Sequence, residues 1–192
     1  MTTYFWADLH LGHANIIKYC PSSRPYLKSD GTPDVEAMSV GMAAAWDSVV
    51  RPDDDIYVLG DLGFKPKLVE PWVLQRPGRK YWVPGNHDPH GGHAREAIAR
   101  LFVRTADIMD IKVEGQGIVL CHYPMLRWDG ASFGSWMLHG HTHGDLELPY
   151  PMRLKDVGVD VFPRPVSFQE LRLLMDPIPP IPHHYHPSGR GE

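Results

Sequence analysis

Five short apolar runs, each broken off by an acidic, amide or imidazole side chain, constrain this chain more than anything else in it. Tyr4-Phe5-Trp6-Ala7 runs into Asp8-Leu9-His10, and Ile56-Tyr57-Val58-Leu59 into Gly60-Asp61. Tyr81-Trp82-Val83-Pro84 leads to Gly85-Asn86-His87-Asp88, and Gly117-Ile118-Val119-Leu120-Cys121 to His122. Trp136-Met137-Leu138 leads to His139-Gly140-His141-Thr142-His143. Runs of three to five aromatic and β-branched residues predict strands, and the lack of alternation predicts strands covered on both faces. Each polar motif then falls at the carboxyl end of a strand, where open α/β sheets bind their ligands.

Helical spacing separates several of these strands. Val35, Met38, Met42, Ala45, Trp46 and Val49 recur three or four apart and predict a helix from Pro33 to Val50, with Thr32 as its cap and Pro33 at its first position. Ala94, Ala97, Ile98 and Leu101 predict a second helix over Gly92–Phe102. Ser167-Phe168-Gln169-Glu170 has the spacing of a capping box and opens a last helix that runs to Met175. Ile108–Val113 with Ile118–Cys121 predicts a hairpin, and the alternation of Val157, Val159 and Val161 predicts a strand over Leu154–Phe162. Strands alternating with helices define the α/β class. The expected organisation is one domain over residues 1–175, followed by a flexible tail over 176–192, rich in Pro and His.

Composition removes several alternatives. A formal net charge of −4 at pH 7 gives no general pull toward nucleic acid or an anionic membrane. No apolar run approaches the ~18 residues that a membrane span needs, and the opening residues Met1-Thr2-Thr3-Tyr4 give no expectation of a signal peptide. Cys20 and Cys121 are its two cysteines, far apart and outside any paired motif, so reduced thiols and a cytoplasmic location are expected.

Twelve histidines among 192 residues are unusual, and seven of them fall in or beside the five motifs. Asp8, His10, Asp61, Asn86, His122, His141 and His143 offer oxygen or imidazole nitrogen and no thiolate. A closed structural zinc site uses about four ligands, usually with cysteine among them. Seven N/O ligands are too many for one such ion and suit two ions sharing a carboxylate. On a regular strand the pairs Asp8/His10 and His141/His143 each project to one face, and loop geometry can divide them between two ions. Such mixed ligands suit Mn²⁺, with Fe or Zn²⁺ as alternatives.

The ordered set Asp8-Leu9-His10, Gly60-Asp61, Gly85-Asn86-His87-Asp88, His122 and Gly140-His141-Thr142-His143 resembles the five blocks of the calcineurin-like metallophosphoesterases. These blocks span about 70% of the chain. The longer stretch Asp8-Leu9-His10-Leu11-Gly12-His13, with Asn15-Ile16-Ile17, resembles small bacterial and phage phosphoesterases. The resemblance implies a four-layer αββα sandwich. It implies a first metal on Asp8, His10 and His143, a second on Asn86, His122 and His141, and Asp61 as the bridge. It also implies that His87 faces the substrate as catalytic acid and that Asp88 orients it. Gly60-Asp61-Leu62-Gly63-Phe64 lacks the charged residues that follow this Asp in the serine/threonine protein phosphatases, which speaks against a protein substrate.

The function so implied is hydrolysis of phosphate mono- or diesters by a hydroxide held between two metal ions, on a small phosphate-ester or nucleotide substrate. His13, Arg24 and Arg127 are further expected substrate contacts, with Trp128 beside Arg127 as a platform for a base. Two alternatives stand beside this reading. A nuclease of the same superfamily needs a basic stripe, and no dense Lys/Arg cluster is present. An inactive scaffold needs a degraded ligand set, and here the set is intact. The sequence sets no oligomeric state.

Overall fold

A computed structural model describes residues 1–182; of the expected tail, 183–192 lie outside the described residues. The described residues form two sheets and five α-helices. In order these are β1 (Thr3–Trp6), α1 (Ala14–Tyr19), α2 (Val35–Val49), β2 (Asp55–Val58), α3 (Pro66–Leu74), β3 (Arg79–Trp82) and α4 (Gly92–Ala99). There follow β4 (Arg104–Thr105), β5 (Ile108–Val113), β6 (Gln116–Cys121), β7 (Trp136–His139), β8 (Leu154–Asp156), β9 (Val166–Ser167) and α5 (Phe168–Met175).

The first sheet has the order β4-β3-β2-β1-β9 and the second β5-β6-β7-β8. β1 to β4 are parallel, and β9 closes the first sheet antiparallel to β1. In the second sheet β5 and β6 form the expected hairpin, and β6, β7 and β8 are parallel. Alternate residues of each apolar run serve two cores. Trp6, Val58 and Trp82 pack toward the helices, where Met38, Met42 and Trp46 of α2 meet Val69 and Val73 of α3. Phe5, Ala7, Leu59 and Val83 turn the other way and meet Met109, Ile118, Leu120, Trp136 and Leu138 between the sheets. Burial on both faces is why these runs lack alternation.

Several local expectations need correction. α2 is capped by Asp34, whose carboxylate accepts from Ala37 N at 2.9 Å, not by Thr32. Pro33 instead bridges to Leu27, so the helix opens two residues later than expected. α4 stops at Ala99, three residues early. The strand expected over Leu154–Phe162 is β8 and stops at Asp156, because that carboxylate accepts from Gly158 N at 2.7 Å and turns the chain. Short α1 and α3, the latter with Pro71 inside it, carried too little periodicity to be read.

Among the described residues, no α-helix supplies the outer layer expected on the second sheet. Val119, Met137 and Leu154 on that face are covered by Ala131, Met152 and Ile181, none of them in an α-helix. α5 lies instead at the margin of the inter-sheet core, with Phe168 stacked on Trp136. Ile181 is buried, and Arg153 Nε donates to Ile178 O at 2.6 Å. The packed domain therefore continues past Met175, where a flexible tail was expected.

Candidate metal centre

The loops after β1 and β2 are zipped together by their backbones. Asp8 N donates to Gly60 O (3.0 Å), His10 N to Asp61 O (2.7 Å) and Leu11 N to Leu62 O (2.8 Å). Regular strand geometry has already ended there. Asp8 (φ 60°), His10 (50°), Asp61 (55°), His141 (70°) and His143 (51°) all have left-handed backbones. Among the described residues only one other non-glycine, Glu114, has positive φ. Such a conformation costs an L-residue roughly 1–2 kcal/mol, and strain of this kind gathers where side chains must be aimed. The pairs Asp8/His10 and His141/His143 thus share a site through paired left-handed turns, not through strand alternation.

Asp61 stands at the centre, almost wholly buried. Its Oδ2 lies 3.5 Å from His10 Nε2, and its Oδ1 lies 3.5 Å from His122 Nε2. Asn86 Oδ1 is 3.0 Å from His122 Nε2. The potential ligand atoms of Asp8, His10 and His143 lie within 4.8 Å of one another, as do those of Asp8, Asp61 and His122. His141 joins by its ring, 5.1 Å from that of His122, and by its N–H, 3.0 Å from both Asp8 oxygens. His87 Nε2 reaches to 4.0 Å from Asp61 Oδ2. His13 forms a cluster with His10 and His87, and Phe64 lies edge-on to His13 and His87. The space is tight. A Cβ on Gly85 would lie 2.2 Å from Asp61 Oδ1, and one on Gly158 would lie 2.5 Å from Asp8 Oδ2.

His122 and His143 are each tied at Nδ1, and His122 turns its Nε2 toward Asn86 and Asp61. His122 Nδ1 faces Leu59 O at 2.9 Å, and His143 Nδ1 faces Asp160 Oδ2 at 2.7 Å. Donation from Nδ1 leaves Nε2 as a lone pair, the tautomer a metal-binding histidine needs. His10 Nε2 is buried without a hydrogen-bond partner. A buried polar nitrogen left unpaired is costly, and a cation would satisfy it. Together with the mixed N/O donor set, this orphaned atom fits bound metal.

Burial controls the electrostatics. It pushes the Asp8 carboxyl well above its ordinary range, and nearby Asp156 and Asp61 push the same way. It presses His10 down to about 2 and lowers His122 and His13, so the imidazoles stay neutral and able to donate a lone pair. Asp88 is raised to about 6 by burial despite its three backbone donors.

Three expected contacts take other forms. Arg24 does not face substrate. It is fully buried, with Nε and Nη2 on Asp160 (2.9 and 2.7 Å) and Nη2 also donating to Asp8 O (2.7 Å). Its charge is spent holding the loop that carries Asp8. Asp88 makes no hydrogen bond to the ring of His87, whose Nδ1 is buried without a partner; it accepts from Asp61 N and Gly85 N (both 2.9 Å) and Gly63 N (3.2 Å), locking the β2 and β3 loops together. Trp128 is packed against the outer core, and its Nε1 donates to Ser135 Oγ at 3.0 Å. Arg127 lies exposed on the loop after His122.

Asp160 is the residue that sequence reasoning missed. Burial opposes its ionisation, but hydrogen bonds from His143, Arg24 and Ser23 outweigh this and hold it well below the usual carboxylate range. The signal was present, since Val157-Gly158-Val159-Asp160 is a sixth apolar run ending in a carboxylate. Asp156 escaped in the same way; it accepts from Thr142 Oγ1 (2.7 Å) and Gly144 N (2.9 Å), shaping the His141–His143 loop. Cys20, remote in sequence, stands beside His143 and Asp160.

The chain is therefore a layered α/β protein with N/O side chains gathered at strand ends into clusters able to hold metal. It belongs to the family of the uncharacterized protein MJ1445 of Methanocaldococcus jannaschii, with 31% identity over 164 residues, covering 82% of this chain and 80% of that protein. It is also similar to the gene 66 protein of Mycobacterium phage L5, 29% identical over 92% of this chain and 95% of the phage protein. Among solved structures it resembles the protein of unknown function AQ665 from Aquifex aeolicus, with a TM-score of 0.69 and 25% identity over 90% of this chain and 98% of that one. No protein-family model matches the chain. Among the described residues, no helix is long and apolar enough to cross a membrane.

Proposed function

We propose that this chain is a metallophosphoesterase of the calcineurin-like type, which hydrolyses phosphate mono- or diesters with two divalent ions. One observation carries the reading. Asp61 presents one carboxylate oxygen toward His10 and the other toward His122, each at 3.5 Å, as a bridge between two ions requires. Asp8, His10 and His143 would hold one ion, and Asn86, His122 and His141 the other. When bound, the ions supply acidity to water and positive charge to a phosphate.

The remaining work falls to the chain. Asp160 and Leu59 O hold His143 and His122 in the tautomer that leaves Nε2 free. His87 is a third exposed at the mouth of the cluster, with its ring braced by His10, His13 and Phe64. It is suited to give a proton from Nε2 to the departing ester oxygen, and His13 to hydrogen-bond the phosphate. Cys20 is suited to neither task, because burial raises its thiol and the adjacent Asp160 raises it further. Mn²⁺ is the preferred metal, on the amide oxygen of Asn86 and the thiolate-free set. A small phosphate ester or nucleotide is the preferred substrate.

The test is to strip the protein with chelator, titrate Mn²⁺ by calorimetry, and assay the loaded protein. Monoesters, diesters, 2′,3′- and 3′,5′-cyclic nucleotides and oligonucleotides should be run side by side. Two bound ions and metal-dependent release of phosphate or alcohol are expected. Binding of two ions with no hydrolysis of any ester would return the chain to the scaffold alternative.

A further inference from the structure

The second sheet ends in an open strand. Three of the four outer strands of the two sheets are short: β4 and β9 have two residues each and β8 has three. β5 has six, Ile108–Val113, and β6 pairs with it on one side only. Among the described residues, no backbone hydrogen bond reaches the outer side of β5. A long free edge is a template for another strand.

The hairpin decides which groups face outward. Glu114 and Gly115 both have positive φ (48° and 88°), the signature of a two-residue type I′ turn. Val113 and Gln116 close that turn as a hydrogen-bonded pair, and the alternation then gives Val113, Ile111 and Met109 to β6. The N–H and C=O groups of Ile108, Asp110 and Lys112 point away from the sheet. Their side chains share its outer face and are exposed, while Met109, Ile111 and Val113 pack inward.

We propose that β5 pairs antiparallel with β5 of a second copy, centred on Ile111, to give a symmetric dimer with one continuous eight-stranded sheet. Only outward-pointing residues can exchange ladder bonds, so few symmetric registers exist. Centring on Asp110 sets Asp110 against itself, and centring on Lys112 sets Lys112 against itself. Each puts like charges directly opposite, which is unfavourable. Centring on Ile111 sets Asp110 against the partner's Lys112 twice over, and brings Ile108 to the end of the partner's strand, beside its turn. The charges that would repel other edges are thus self-complementary in this one register. The half-exposed Ile108 gains cover at the seam. The candidate metal centre follows β6 at His122, near the start of antiparallel β5. The two centres would therefore stand at opposite ends of the seam, both open.

Charge reversal tests the register through sedimentation equilibrium and light scattering on the full chain. The parent should be a dimer at micromolar concentration. Asp110→Lys and Lys112→Asp should each weaken dimerisation at least about tenfold. Mixing the two variants should form a heterodimer, and the double swap Asp110→Lys/Lys112→Asp should restore the homodimer. Circular dichroism of each variant checks that the fold is kept. A parent that stays monomeric, or a dimer unmoved by both single reversals, overturns the proposal. So does a mixture or a double swap that fails to recover association.

Discussion

Asp160→Ala attacks the one charge on which both the fold and the candidate metal centre depend. In the parent, Asp160 takes two hydrogen bonds from Arg24, one from Ser23 and one from His143. The Asp160 side chain is 4% exposed and that of Arg24 is 0% exposed. Removing the carboxylate leaves a guanidinium buried with no counter-charge, facing the carbonyls of Asp8 and Leu9 and the weakly accepting sulfur of Met38. Breaking a buried pair from one side costs ~3–5 kcal/mol. For a chain of this size that corresponds to a fall in Tm of roughly 6–20 °C. The assay is urea and thermal unfolding of the chelator-treated protein, so that metal binding does not enter. A second effect is separate. His143 loses the acceptor that fixes its tautomer, and Mn²⁺ affinity should fall ~10–100-fold by calorimetry. Arg24→Met with Asp160→Ala removes the stranded charge and should regain part of the stability, while the affinity stays low. A loss below about 1 kcal/mol would refute the claim that this pair holds the Asp8 loop. Recovery of metal affinity in the double variant would refute the role given to His143.

Three further outcomes are expected. His87→Ala should keep its two ions and its fold yet lose ~10²–10⁴ in kcat on diesters, and unchanged turnover would remove His87 as the acid. Gly85→Ala puts a Cβ 2.2 Å from Asp61 Oδ1 and 2.7 Å from Asp61 N, backbone included. It should abolish tight binding of the second metal by calorimetry while circular dichroism stays native, and normal stoichiometry would show that the loop can yield. Glu170, held down to about 2 by Arg164 against the opposing pull of burial, ionises more readily in the folded chain than at its ordinary 4.5. Its contribution is therefore fully present above about pH 4.5 and disappears as the pH falls toward about 2. The group is partly exposed, so Glu170→Gln should cost only on the order of 1 kcal/mol at pH 7. In urea titrations that difference should shrink toward zero in acid; a constant difference would show that its charge is not involved.

What the chain determined by itself was the set of N/O side chains and its approximate address. Strand runs buried on both faces, the capping box at Ser167 and Glu170, and the hairpin at Glu114-Gly115 are local, because period, turn and cap are settled within a few residues. So is the placement of Asp8, Asp61, Asn86, His122 and His141 after apolar runs. Which groups serve one another was decided by tertiary structure. Arg24 meets Asp160 across 136 residues, and Asp61 N meets Asp88 across 27. Neither partner carries a local signal of the other, so an arginine expected at the substrate and an aspartate expected to orient His87 became fasteners of the loops. The helix expected outside the second sheet was replaced by Met152 and Ile181, since an apolar face requires cover and not any particular element. The left-handed turns at Asp8, His10, Asp61, His141 and His143 belong to the same class. No propensity favours them, and they persist because backbone bonds between neighbouring loops hold them in place.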